Sequence, residues 1–285
     1  MTHTPPRAPR PSSVTRPGSR PGSPGRSAAR PDPQTDGERL SKRIMALAGC
    51  SRSEAENYID GGWVQIDGQL ASNPATRVRP AQTVALDPAA RLEKSEDVTI
   101  ILHKLPGQPD AVDPIKGTES SAAVTQLLRP ENHWASDRSG VRPAPRHFRQ
   151  LRSMVMLEQA ASGLLVFTQD WRRVRKLEEE AGSLEHELIF DVAGALPEGA
   201  LEHMQKLLRI SAEPLPASHL SVSSQKPNSS QLRLAVKGSH PGLAAYLCGQ
   251  TGLQITGLRR IRLGRIGLGA LPPGKWCYLA GHQRF

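Results

Sequence analysis

Apolar positions along this chain change spacing twice within its first hundred residues. Leu40, Ile44 and Leu47 recur at helical intervals, and Gly49 closes the run. Ser51 with Glu54 three residues later forms a capping-box signature, Ala55, Tyr58 and Ile59 supply an apolar face, and Gly61-Gly62 ends it. The period then drops to two. Val64 and Ile66 alternate with Gln65 and Asp67, Asp67-Gly68 is a two-residue hairpin signal, and Val78 and Val84 belong to returning strands. The pattern predicts two short helices packed on a small twisted sheet.

After Pro88 a charged linker leads to VTIILHKLPG, whose apolar run predicts a buried strand ending in a Pro-Gly turn. The stretch from Pro130 to Pro145 is rich in Pro, Ser and charge and is expected to loop over the surface. Regular structure returns with SGLLVFTQD as a buried strand, WRRVRKLEEE as a helix and ELIFDVAG as a strand. GALEHMQKLLRI is an amphipathic helix, LRLAVKG a strand, PGLAAYLCGQTG a helix closed by Gly252, and LQITGLRRIRLGRIGLGALPPGKWCYL a run of strands and turns. The expected class is α+β, with a mixed, mainly antiparallel sheet carrying helices in the larger part.

Composition adds a tail and a partner. Residues 1–36 lack the apolar stretch of a secretory signal, and their Pro, Gly, Ser and Arg content predicts a disordered basic segment. The whole chain carries 37 Lys and Arg against 27 Asp and Glu, a formal net charge of +10, which draws polyanions by counterion release. No run approaches the length of a membrane span, so nucleic acid is expected rather than a membrane. Cys50, Cys248 and Cys277 lie far apart with no CxxC spacing, and no HExxH pair occurs; neither a disulfide framework nor a metal site is indicated, and a reducing cytoplasm is the expected setting. His103-Lys104, Asp137-Arg138 and Asp170 form no spacing that a known chemistry needs, and each reads as a solvated loop residue. A cation cluster is found at Arg172, Arg173, Arg175 and Lys176, equally suited to RNA or solvent; for Arg259, Arg260, Arg262 and Arg265, RNA contact is the better reading.

In the first helical pair Arg39, Lys42, Arg43, Ser51 and Arg52, with Arg77 and Arg79 of the hairpin region, form a candidate phosphate-facing set, against the bland alternative of a solvated charged face. The whole pattern favours the first. RLSK, then SRSEA, then VQIDG resemble the S4 (alpha-L) RNA-binding domain of ribosomal proteins and RNA-modifying enzymes, with Ser53 standing where that family often has a second Arg. LHKLPG, LEQAASGLLVFTQD and the long LRRIRLGRIGLGALPPGKWCYL segment resemble the RsuA/RluF-like ribosomal RNA branch of the pseudouridine synthases. The resemblance implies three parts: a tail at 1–36, an S4-like RNA-binding domain at 37–90 and a pseudouridine-synthase-like domain at 96–285. It also implies ribosomal RNA as partner, uridine isomerisation as activity, no cofactor or metal, and a monomer.

The same resemblance marks where chemistry has drifted. The family's catalytic loop GRLD corresponds to Val155, Met156, Leu157 and Glu158, so the catalytic Asp position holds Glu158. The added methylene displaces a carboxylate by roughly 1 Å, which in a near-attack geometry costs about a hundredfold. Met156 stands for the loop Arg, Leu188 for the pocket Tyr, and Ala244 for the helix Arg that pairs with the carboxylate. Leu has no acid-base function and Ala cannot hold an anion, so Glu158 is expected to be a leftover or surface residue. Two functions therefore stay open: an impaired synthase using Glu158, or a non-catalytic RNA-binding or ribosome-assembly factor on the same scaffold.

Overall fold

In the computed structural model, residues 37–92, 96–108, 124, 126–210 and 218–285 are described, and the expectation of a disordered tail at 1–36 lies outside them. α1 (Leu40–Ala48) ends at Gly49 in the left-handed region, and α2 (Arg52–Asp60) begins at Ser51, which forms both halves of a capping box with Glu54. Both turns follow from residue chemistry: glycine alone takes that φ without a Cβ clash, and the Ser hydroxyl satisfies an orphan helix N–H. Leu40, Ile44, Ala55, Ile59, Val64, Ala71 and Val78 make the core of this small unit. Leu47, placed on the buried face by spacing, is exposed, and Met45 packs against the core from the side.

Three strands, β2 (Val64–Ile66), β3 (Gln69–Leu70) and β5 (Val84–Leu86), form one sheet with β2 central, turned at Asp67 and Gly68, both at positive φ. The other returning strand, β4 (Arg77–Val78), pairs instead with β1 (Glu38–Arg39), closing the chain entry over α1.

The larger part is a nine-stranded sheet. Its order is β10 (His219–Lys226), β11 (Ser229–Lys237), β9 (Glu185–Ala193), β12 (Ile255–Leu263), β8 (Ser162–Thr168), β6 (Thr99–Lys104), β14 (Trp276–Tyr278), with β13 (Ile266–Gly267) on β12 and β7 (Arg152–Met154) on β8. Every pairing is antiparallel except β12 with β8, as the class predicts. α3 (Trp171–Glu179), α4 (Ala200–Ile210) and α5 (Leu243–Gln250) stand where their periodicity predicts. β10 was not foreseen, because its residues from Ser223 to Lys226 are exposed and polar and only Leu220 is buried.

At the parallel pairing the backbones come close enough to demand glycine. Gly163 has φ +109, and a Cβ there would lie 2.2 Å from the Arg260 carbonyl oxygen. The expected surface loop after Pro130 is instead tied to the sheet. His133 stacks on Trp276 with ring centroids 4.5 Å apart and bonds Asp137 at 2.8 Å, while buried His147 bonds the Tyr278 hydroxyl at 2.7 Å. Asp137 also accepts from the Tyr278 and Ser139 N–H groups, so it is a structural hub rather than a solvated loop residue.

Candidate RNA-binding surface and cleft

Four of the seven candidate phosphate contacts converge. Arg39, Lys42, Arg52 and Arg77 line one open cavity of about 610 Å³ against Glu38, Ser41 and Met45. Arg39 precedes α1, Lys42 lies one turn into it, Arg52 opens α2, and Arg77 comes from β4, so strand pairing β1 with β4 assembles the set. The Arg77 guanidinium donates to the Gly37 carbonyl at 2.8 Å, and Arg52 reaches Glu56 at 2.8 Å on an exposed face. Arg43 points elsewhere, pairing with Glu38 at 3.1 Å, and Arg79 stands outside the cavity. Ser51 donates its N–H to the Glu54 carboxylate and accepts the Glu54 N–H at its hydroxyl oxygen, which fixes the start of α2 and so the place of Arg52.

The loop from Val155 to Ala161 is held by two buried cations through main-chain atoms. The Lys104 ammonium, fully buried, donates to the carbonyls of Leu105, Glu158, Gln159 and Ala161 at 3.3, 3.1, 3.0 and 2.6 Å. From the other side Arg260, 1% exposed, donates to Leu164, Met156 and Val155 carbonyls at 2.8, 3.0 and 2.8 Å. Charge-assisted bonds to several carbonyls satisfy groups that are costly to leave unpaired when buried. This overturns two sequence expectations. Lys104 is no solvated loop residue, and Arg260 is turned inward instead of toward RNA. Nor is His103 solvated: it is buried and its Nδ1 lies 2.7 Å from the Leu271 carbonyl.

Val155 occupies the position that the resemblance gives to glycine, and its φ is +57. A β-branched residue pays about 1–2 kcal/mol for that region, so the loop keeps a glycine's shape without a glycine. Met156 is exposed and Leu157 buried. Glu158, by contrast, is no free surface carboxylate. It is half-buried, and its Oε1 accepts the Gly242 N–H at 2.9 Å, at the N-terminus of α5. An anion suits that end of a helix, whose first N–H groups lack partners. Ala244, on the same helix, is buried in the core with Leu247 and Cys248. Leu188 stands opposite Arg260 on β9 and packs on that core. Its neighbour His186 is 4% exposed, its Nε2 has no hydrogen-bond partner among the described residues, and burial, with the charges of Arg260 and His240, pushes its pKa down to about 4.

Other candidate cations also find acidic partners. Arg173 lies 3.5 Å from Asp170, which caps α3; Arg175 and Lys176 pair with Glu179 and Glu180 one turn on, and Arg262 pairs with Glu185 and Glu187. Among the described residues no three His, Cys, Asp or Glu side chains cluster as a metal site, and no helix is long and apolar enough to cross a membrane.

The S4 domain family matches residues 38–84. A putative chloroplastic ribosomal large subunit pseudouridine synthase of Arabidopsis thaliana is 28% identical over 237 residues, which are 80% of this chain and 54% of that protein. The chain therefore spans about half the length of that relative. An uncharacterized RNA pseudouridine synthase of Mycobacterium leprae is 23% identical over 82% of this chain and 86% of its own length. Ribosomal large subunit pseudouridine synthase B of Bacillus subtilis is 24% identical over 67% of this chain and 72% of its own length. A crystal structure of a pseudouridylate synthase superposes with a TM-score of 0.49 at 18% identity, covering 85% of this chain and 96% of that one.

Proposed function

From the premise that this chain joins an S4 domain to a homologue of the ribosomal RNA pseudouridine synthases, we propose that it binds ribosomal RNA and that its cleft has lost the groups isomerisation needs. Binding rests on the cavity of Arg39, Lys42, Arg52 and Arg77, where four cations from four elements face one opening. Their charge gives affinity by counterion release, while the helices fix orientation.

The observation that carries the loss of chemistry is the environment of Glu158. Isomerisation breaks the bond from ribose C1′ to uracil N1, turns the base, and joins C1′ to C5, the C5 proton being lost and a proton gained at N1. A carboxylate that takes part must be held by a cation and face a group able to move a proton. Here the carboxylate is bonded to a main-chain N–H, the helix position for the cation is Ala244, and the position for the phenol is Leu188. The protein is then an RNA-binding or ribosome-assembly factor on a synthase scaffold.

One feature favours a second reading, a slow synthase using Glu158: the carboxylate is fixed by α5 rather than left mobile in solvent. A single experiment separates the two. Full-length protein is incubated at stoichiometric concentration with unmodified large-subunit ribosomal RNA transcript, and pseudouridine is mapped. No site above background is expected. A stoichiometric pseudouridine that disappears in Glu158→Gln would establish the synthase instead.

A further inference from the structure

The two parts of the chain are latched together. Arg142 lies with its guanidinium carbon 3.7 Å from the centre of the Trp63 ring and donates to the Gly61 carbonyl, and Arg149 pairs with Asp60 at 2.7 Å. Gly62 presses on Pro145 so closely that a Cβ would meet its ring at 2.8 Å. Trp63 is only 7% exposed although it stands outside the S4 unit's own core. The guanidinium over the indole and the Arg149–Asp60 ion pair together hold the two units in one orientation.

Behind the latch lies a cavity of about 480 Å³ into which Arg91, Arg142, Arg146 and Arg173 converge from the linker, the tethered loop and α3. Glu96, Asp97 and Asp170 also line it, the last already engaged with Arg173 and the α3 N-terminus. Buried His147 and Tyr278 form its floor. Burial and the nearby Arg284 depress the Arg173 pKa, a sign of crowded positive charge. The cavity belongs to neither site described above. It sits at the Thr99 end of β6, whereas Lys104 and the Glu158 loop are at the other end, roughly 17 Å away at strand rise. Helix α2 runs between the basic surfaces, with Arg52 at its start and Asp60 at its end, a separation of about 12 Å at helical rise.

We propose that this junction cavity is a second RNA-backbone site, taking a phosphate of the strand bound by the S4 cavity, and that the latch sets the distance between them. The proposal rests on the RNA-binding function proposed above. It requires one continuous RNA held by two cation clusters, with α2 as the rigid spacer. Uncoupling the units then weakens binding even when every cation remains.

The test measures affinity of the full chain for a labelled large-subunit ribosomal RNA transcript across a salt series. Arg91→Gln with Arg146→Gln is expected to weaken binding about tenfold and to flatten the dependence of log K on log salt by about one to two phosphates' worth. Trp63→Ala should produce a similar loss, with no further loss when added to that pair; if Trp63→Ala unfolds, Arg149→Gln serves in its place. Unchanged affinity and slope in the Arg91/Arg146 pair, beside a clear loss in Arg39→Gln with Lys42→Gln, would overturn the junction site and leave S4 binding standing. No change in either pair would take down RNA binding itself, and the junction site with it. Additive losses from Trp63→Ala and the Arg pair would overturn the latch as spacer.

Discussion

The S4 unit and the loop around Glu158 are built on different atoms. In the S4 unit the arrangement rests on side chains: the same α1 and α2 that pack Leu40, Ile44 and Ile59 inward carry Lys42 and Arg52 outward. In the larger part the loop from Val155 to Ala161 is held through its backbone. Lys104 and Arg260 grip main-chain carbonyls of the loop, and every residue has one, so Val155, Met156 and Glu158 can stand where the resemblance places Gly, Arg and Asp without releasing it. A frame built on the backbone tolerates changes of side chain; a surface that presents its cations does not.

The sharpest way to break that contrast is to attack the frame. Arg260→Met removes the partner of three carbonyls, that of Leu164 buried and those of Met156 and Val155 partly so, and is expected to destabilise the larger domain by about 3 kcal/mol. Met156→Ala, at an exposed position, should stay within about 0.5 kcal/mol. Urea unfolding followed by the intrinsic fluorescence of the larger domain's tryptophans would compare them. Equal effects would mean that the loop is held by its side chains after all.

Next in size is a histidine-borne acid sensitivity of the larger domain, since residues 38–84 contain no histidine. His186 has a folded pKa near 4 against about 6.5 when unfolded, so the unfolded chain binds the extra proton between those values. The stabilisation is complete above about pH 6.5 and is lost as pH falls toward 4, amounting to about 2 kcal/mol at pH 5. Buried His103 shifts in the same direction, chiefly by desolvation. Denaturant midpoints at pH 7 and pH 5 should separate for the native chain and come closer together in His186→Leu. A gap of the same size in that variant would remove His186 as the cause.

The smallest effect sharpens the comparison most directly. Val155→Gly should stabilise the protein by about 1 kcal/mol, because relief of the positive-φ strain exceeds the added flexibility of the unfolded chain. If it destabilises, Val155 contributes packing that outweighs its backbone.

How much of this was legible depended on distance along the chain. The capping box at Ser51 and Glu54, the stop at Gly49 and the Asp67-Gly68 turn are local, and all stand as their residues predict. β10 was missed because an exposed polar strand at a sheet edge has little apolar alternation to reveal it. Lys104 and Arg260 lie in segments singled out by resemblance, yet their roles were hidden, since a carbonyl partner more than fifty residues away leaves no mark on spacing. Arg142 had no signal of any kind.

By itself the sequence determined the α+β class, the helices and the buried strands, the S4 unit and the cations available to it, because helical and strand periodicity and turn chemistry are set by neighbours in the chain. Only the tertiary structure decided which cations face outward. It turned Arg260 and Lys104 inward onto the loop, bound Glu158 to the start of α5, and set Arg142 on Trp63. Those outcomes depend on which buried main-chain groups lack partners once the sheet has formed, and that need arises only when distant segments meet.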